Sequence, residues 1–238
     1  MKNNFYFKEP FSNIYKLPNI RSEVTSQILY GERFKILSKR KGWIKIKSLY
    51  DRYSGFIKDK KYAKELNISH KVSNIEANIF KNPNTKTKKN LYFGSKLSAI
   101  EKRNGFVRFE KNRWVKLKDI KNIIHKEKDF IKIFKLFLKT KYVWGGKTSK
   151  GIDCSALLQI FFYYNNLFYP RDTKDQIKYS IKKKSKKFKK GDIIFWKGHV
   201  AICINSKQLI HAYGPEKRVI VMPINETIKR IFNTADLK

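Results

Sequence analysis

Apolar positions along the chain change their period near residue 120. From about residue 11 to 120, short β-branched and aromatic runs are broken by Gly, Asn and Pro, which is the pattern of a small all-β barrel or sandwich. Within that region an internal repeat is visible. Gly31-Glu32 is followed by Gly42-Trp43, and Gly94-Ser95 by Gly105-Phe106, so the two glycines stand eleven residues apart in each copy. Aromatic strand endings precede both (Leu29-Tyr30 and Tyr92-Phe93), with a matching pair further upstream (Ile14-Tyr15 and Ile79-Phe80). The copies close alike, on Gly55-Phe56-Ile57 and Arg113-Trp114-Val115. Two tandem β modules follow, each large enough to fold alone.

Beyond residue 120 the period becomes helical. Phe130, Ile133, Phe134, Phe137 and Leu138 predict an amphipathic helix over 126–141, which leads into Tyr142. A Gly145-Gly146 turn then delivers Cys154 to the start of an apolar helix (Leu157, Leu158, Ile160, Phe161, Phe162) that Asn165-Asn166 ends. Thr173 and Gln176 are spaced as a capping box for a further helix. From Gly191 the chain alternates as strands: 193–196, 199–204, 208–213 and 218–222. Helices first and antiparallel strands after give an α+β half.

Composition changes this picture in two places. A net charge of +36 ordinarily points to nucleic acid or an acidic surface. The excess here is overwhelmingly Lys, spread over every segment, and no cluster of base-reading Arg, Asn and Gln stands out. It is read as solvated surface, with the run 182–187 its densest patch, and no specific nucleic-acid partner is expected. Two cysteines, Cys154 and Cys203, exclude a disulfide framework and suit a reducing compartment. Neither a signal peptide nor a membrane-spanning stretch is seen, so a cytoplasmic protein is expected.

Candidate chemistry centres on Cys154. Exposed N–H groups in the first turn of a helix favour an anion, so the thiol is expected to have its pKa lowered toward neutrality, and the same groups can hold an oxyanion. Cys203, in an apolar strand, reads as a small core residue. If Asn205-Ser206-Lys207 forms a three-residue hairpin loop, Ile204 faces Gln208 and His199 faces Tyr213. His211 then lies one diagonal step from His199 on the same face, about 7–8 Å away at Cα and within side-chain reach. A thiolate needs a base, and the base an orienting group. His70 and His125 have no such setting, and no zinc-ligand spacing is present, so neither metal nor cofactor is expected.

Two resemblances add to this reading. Tyr30-Gly31-Glu32, Gly42-Trp43 and Asp51-Arg52-Tyr53-Ser54-Gly55-Phe56 resemble bacterial SH3-like domains. The second copy has Ser95 in place of the Glu and lacks the Asp-x-Tyr ending. Tyr142-x-Trp144-Gly145-Gly146, Asp153-Cys154-Ser155, Pro170-Arg171-Asp172-Thr173-x-x-Gln176, Gly191-Asp192-x-x-Phe195-Trp196, Gly198-His199-Val200 and Ile210-His211-Ala212 resemble the NlpC/p-sixty cysteine peptidases, in family order. The resemblance implies an α+β, papain-like catalytic domain over 123–238, preceded by two small all-β SH3-like barrels at 1–63 and 64–122.

It further implies hydrolysis of the γ-D-glutamyl–diamino acid bond of peptidoglycan stem peptides. Cys154 would be nucleophile, His199 base and His211 orienting group. Tyr142 and Asp153 would line the site, and Ser155, Arg171 and Thr173 would meet the D-glutamyl carboxylate and adjacent backbone. Glu32 and Tyr53 of the first barrel would hold a free L-Ala amine, although Glu32 equally suits a turn and Tyr53 a core. A monomer is expected. Two other readings stand: an amidase or acyltransferase on the same catalytic half, and a non-catalytic wall- or polyanion-binding protein.

Overall fold

Both copies of the repeat turn the chain in the same way. In the computed structural model, Gly31 and Gly94 have φ of +78° and +81°, and Lys41-Gly42 and Asn104-Gly105 are left-handed at both residues. The latter pairs close two-residue hairpins, Arg40 opposite Trp43 and Arg103 opposite Phe106, the loop whose twist matches that of the strands. The Glu32 carboxylate accepts the N–H of Leu29 at 3.1 Å, and the Ser95 hydroxyl accepts that of Tyr92 at 3.3 Å. Ser95 therefore does in the second copy what Glu32 does in the first.

Residues 4–182 and 187–232 are described, and every count or absence refers to them. Residues 183–186 of the lysine-rich run lie outside that set. The chain divides into two units, Met1–Lys126 and Glu127–Lys238.

In the first unit the first copy forms a seven-stranded sheet in the order Val24–Leu29, Phe11–Tyr15, Ser54–Lys58, Trp43–Ser48, Arg33–Arg40, Asn4–Phe7, Tyr62–Ala63. It closes over Phe7, Ile14, Ile28, Phe34, Ile44, Ile46 and Ile57. The second copy pairs five strands, with Arg113–Lys116 between Glu76–Asn82 and Phe106–Glu110, and adds a three-stranded sheet centred on His70–Val72. Tyr30 joins the two copies. Its ring packs in the second core, edge-on to Phe109 at 5.4 Å, and its hydroxyl donates to Glu110 at 2.8 Å. Lys8 and Arg113 flank that carboxylate. The joint requires glycine at 31, because a Cβ there would stand 1.9 Å from the Lys96 carbonyl oxygen.

The second unit opens with α1 (Phe130–Leu136), capped by the Asp129 carboxylate on the Ile131 N–H at 3.2 Å. It is shorter than the 126–141 periodicity predicts. Asp129 sets its start, and the chain turns left-handed at Lys139 (φ +66°). A small hairpin (Lys147–Thr148 with Gly151–Ile152) precedes α2 (Cys154–Tyr164), which ends at Asn165 with Asn166 left-handed. Next come α3 (Thr173–Tyr179) and a four-stranded antiparallel sheet in chain order, Ile193–Trp196, His199–Cys203, Gln208–Tyr213 and Arg218–Pro223. The sheet buries Cys203 among Trp196, Leu209 and Met222. A fourth helix, α4 (Ile224–Phe232), was not among the expected elements, although its buried Ile224, Thr227 and Ile231 have helical spacing. Among the described residues no helix is long and apolar enough to cross a membrane.

Candidate active site

Asp153 organises the start of α2. Its backbone is extended (φ −97°, ψ 174°), and one carboxylate oxygen accepts the N–H of Ala156 at 2.8 Å and the Ser155 hydroxyl at 3.1 Å. This is a helix cap of the kind short polar side chains make. The other oxygen accepts the N–H of Gly145 at 2.9 Å, which ties the glycine turn to the helix. That turn is tightly closed: a Cβ on Gly146 would lie 2.4 Å from the Gly151 carbonyl oxygen, and one on Gly151 would lie 2.3 Å from the Val143 side chain.

Arg171 completes the cluster. One terminal nitrogen donates to Asp153 at 3.0 Å and to Ser155 Oγ at 2.8 Å, and the other donates to Asp153 at 2.6 Å. Both side chains are almost wholly buried, so the pair is a two-pronged, charge-assisted contact. Gln176 braces the same region, donating its amide to the Ser155 and Pro170 carbonyls at 2.9 Å each. The expected capping box is therefore absent. Asp172 holds the cap position without a side-chain cap bond, Thr173 is the first, half-buried residue of α3, and the Gln176 side chain reaches out of its helix instead of back to its start.

Cys154 is 3% exposed. Backbone N–H groups of Val200 and Ser155 reach its sulfur, yet the thiol is pushed up to about 12, by burial first and then by the Asp153 charge. This reverses the expected lowering. The N–H groups and Arg171 pull toward the thiolate, but Arg171 is already paired with Asp153, and desolvation outweighs them. Tyr142 lies near enough to Cys154 and Asp153 for their charges, after burial, to raise its phenol as well.

The base comes from the sheet. Ile202 faces Ile210 and Cys203 faces Leu209, which is the register of the three-residue hairpin loop. His199 Nε2 and His211 Nδ1 stand 2.9 Å apart. His211 is fully buried, with Tyr213 stacked on it at 4.6 Å and 11°. Its Nε2 contacts the Met222 sulfur at 3.3 Å. Burial pulls His199 down to about 4; burial and then the neighbouring His199 pull His211 down to about 3. Both rings are neutral at pH 7, and the His199 nitrogen not engaged by His211 is Nδ1. The Val200 N–H, one residue after His199, meets the Cys154 sulfur, so the strand His199–Cys203 runs past the start of α2.

A buried cysteine, an adjoining pair of neutral imidazoles and a capped helix start make a thiol-hydrolase constellation. Residues 139–234 match the NlpC/P60 family, and residues 14–61 match the bacterial dipeptidyl-peptidase Sh3 domain. The chain carries an NlpC/P60 cysteine peptidase domain. Among its relatives, "Dipeptidyl-peptidase 6" of Lysinibacillus sphaericus is 24% identical over 90% of this chain and 89% of its own. "Gamma-D-glutamyl-L-lysine dipeptidyl-peptidase" of Bacillus subtilis is 26% identical over 86% of this chain and 77% of its own. In fold, an NlpC/P60 family protein from Bacillus cereus superposes with a TM-score of 0.80 at 19% identity, covering 93% of this chain and 94% of that one. The papain-like peptidase domain and the SH3-like β region are therefore both present.

Within this NlpC/P60 domain the structure brings together Tyr142, Asp153, Cys154, Ser155, Arg171, His199 and His211. Glu32 and Tyr53 belong to the first unit. There Glu32 is buried in its turn, and the Tyr53 N–H donates to the Asp51 carboxylate at 3.1 Å. Gln176, Tyr213 and Met222 were missed as site residues from sequence. Gln176 carried a signal, its place in the Pro170–Gln176 motif, while Met222 is one apolar residue among several in its strand. Among the described residues no group of three His, Cys, Asp or Glu is arranged to hold a metal ion.

Proposed function

We propose that this peptidase hydrolyses the γ-D-glutamyl–diamino acid bond of peptidoglycan-derived peptides, releasing an L-Ala-γ-D-Glu dipeptide from a free amino end. The observation that carries the chemistry is the His199–His211 contact at 2.9 Å on a strand whose Val200 N–H meets the buried Cys154 sulfur at a helix start. The choice of bond is supported by the relatives that match along most of the chain, both named as dipeptidyl-peptidases.

Cys154 attacks the γ-carbonyl as its proton passes to Nδ1 of His199. Because burial holds both groups neutral, transfer and attack occur together instead of starting from a preformed ion pair. The backbone N–H of Cys154 and a neighbouring donor hold the oxyanion. The imidazolium protonates the departing amine of the diamino acid; the neutral imidazole this leaves takes a proton from water as that water attacks the thioester, and returns it to the Cys154 sulfur as the acid product departs. His211 accepts the Nε2–H of His199 throughout and keeps the ring in its reactive orientation. Tyr142 and Asp153 line the cleft, with Ser155, Arg171 and Thr173 receiving the D-glutamyl carboxylate and its backbone. The substrate is read as entering with its amine free. Such a preference suits recycling of released wall peptides in the cytoplasm, a reducing compartment in which Cys154 and Cys203 stay as cysteines.

Mass spectrometry of products from L-Ala-γ-D-Glu-L-Lys and its diaminopimelate counterpart tests the reading. Cys154→Ala is expected to abolish cleavage, and His199→Ala to cut kcat by about 10²–10⁴-fold. Acetylation of the substrate's amine is expected to lower turnover. Turnover surviving Cys154→Ala, or products cut at another bond, would refute it.

A further inference from the structure

We propose that Met222 is a positioning residue: its thioether accepts the Nε2–H of His211 and thereby sets the direction of every proton in the histidine pair. The proposal rests on the reading of Cys154, His199 and His211 as the reacting chain.

The contact is built by the sheet. His211 lies opposite Ile220 in the antiparallel register, so Met222 is its diagonal neighbour on the next strand, and the sulfur stands 3.3 Å from His211 Nε2. Met222 is buried in the core formed by Trp196, Cys203, Leu209 and Tyr213. A thioether sulfur has lone pairs and no proton, so it can only accept. A neutral imidazole carries one proton, on one nitrogen or the other. With the sulfur against Nε2, that nitrogen carries the hydrogen and Nδ1 is the acceptor. His199 must then donate from its own Nε2, since the two nitrogens meet at 2.9 Å and one of them has to supply the hydrogen. His199 Nδ1 is left with a bare lone pair, the form able to take the Cys154 proton.

The opposite arrangement fails at both ends. With hydrogen on Nδ1 of His211, lone pairs of Nε2 and sulfur would face each other inside the core. His199 would then accept at Nε2 and carry its own hydrogen on Nδ1, which blocks it as a base. A carboxylate at position 222 would fix the same direction but would bring a charge to a fully buried ring. The thioether supplies direction without charge. Tyr213, stacked on the ring at 4.6 Å, fixes its plane but leaves open which nitrogen is protonated, so the sulfur makes that choice.

Methionine occurs only at positions 1 and 222, which allows replacement by norleucine to exchange the Met222 thioether sulfur for a methylene of similar shape. Long-range ¹H–¹⁵N spectra of the ordinary protein are expected to show His211 and His199 each protonated at Nε2. In the norleucine protein His211 becomes a mixture of tautomers and kcat falls about 3- to 10-fold, the scale of one lost hydrogen bond, with KM unchanged. Selenomethionine, which keeps the acceptor, restores both. A merely structural role would change unfolding or KM and leave the tautomers alone. Protonation of His211 at Nδ1 in the ordinary protein, or unaltered tautomers and kcat in the norleucine protein, would overturn the proposal. Activity surviving Cys154→Ala would sink the catalytic reading instead, and the spectra would still decide the part played by Met222.

Discussion

The two sides of Cys154 solve burial in opposite ways. On the helix side, Asp153 and Arg171 are both charged and both almost wholly buried, and they cancel each other through two short contacts plus Ser155. On the strand side, His199, His211 and Met222 form a chain with no net charge, held by hydrogen direction and stacking. Cys154 stands between them. The helix side has an internal partner for its positive charge, so little of that charge reaches the thiol, while the strand side has none to offer until a proton moves. A site with buried charges nearby can thus hold its nucleophile as a neutral thiol, and the lesson is that net local charge counts for more than proximity to a helix start.

Breaking the ion pair should give the largest effect. Arg171→Met leaves the Asp153 carboxylate buried without its partner, and chemical denaturation should show a loss of about 3–5 kcal/mol. Adding Asp153→Asn to that variant should return part of it. A loss below about 1 kcal/mol would mean that the pair is solvated and that the two sides do not differ as described.

Acid should act on the other side. His211 has a folded-state pKa lowered to about 3 from an ordinary value near 6.5, so as pH falls the unfolded chain binds the proton first. Stability from this source is complete above pH 6.5 and drains away as pH drops toward 3. At pH 5 the loss should reach about 2 kcal/mol from His211 alone, at about 1.4 kcal/mol per pH unit. Denaturation curves at pH 7 and 5 should show it, and His211→Asn should remove that share. A flat profile would place a charged imidazole in the sheet and make both sides ionic.

The smallest effect is the sharpest on the nucleophile. With the thiol pushed up to about 12, iodoacetamide inactivation at Cys154 should keep rising between pH 6 and 9 without a plateau, as it does when thiolate supply limits the rate. A plateau already present at pH 6 would show a standing thiolate–imidazolium pair.

Several of these features are legible in the linear chain. The hairpin loop 205–207 dictates which residues face across it, and the observed register follows from counting outward from that loop. The repeated glycine pairs announce the paired turns, and Asn165-Asn166 ends α2 where left-handed backbone is tolerated. Other features mislead. Apolar spacing ran to Leu138, but the helix stops earlier because Asp129 caps it late and Lys139 turns left-handed. Thr173 and Gln176 had capping-box spacing, and the Gln instead bridges two carbonyls outside its helix.

By itself the sequence determined the order of elements, the β repeat, the peptidase motif and the facing of His199 and His211. All of these depend on neighbours a few residues away, through strand alternation, helix period and turn geometry. Tertiary structure alone decided that Arg171 closes on Asp153 eighteen positions earlier, that Met222 meets His211, and that Cys154 rests as a thiol. Those outcomes come from desolvation and from pairing between distant segments. Both are sums over everything packed around a group, and no local pattern records them.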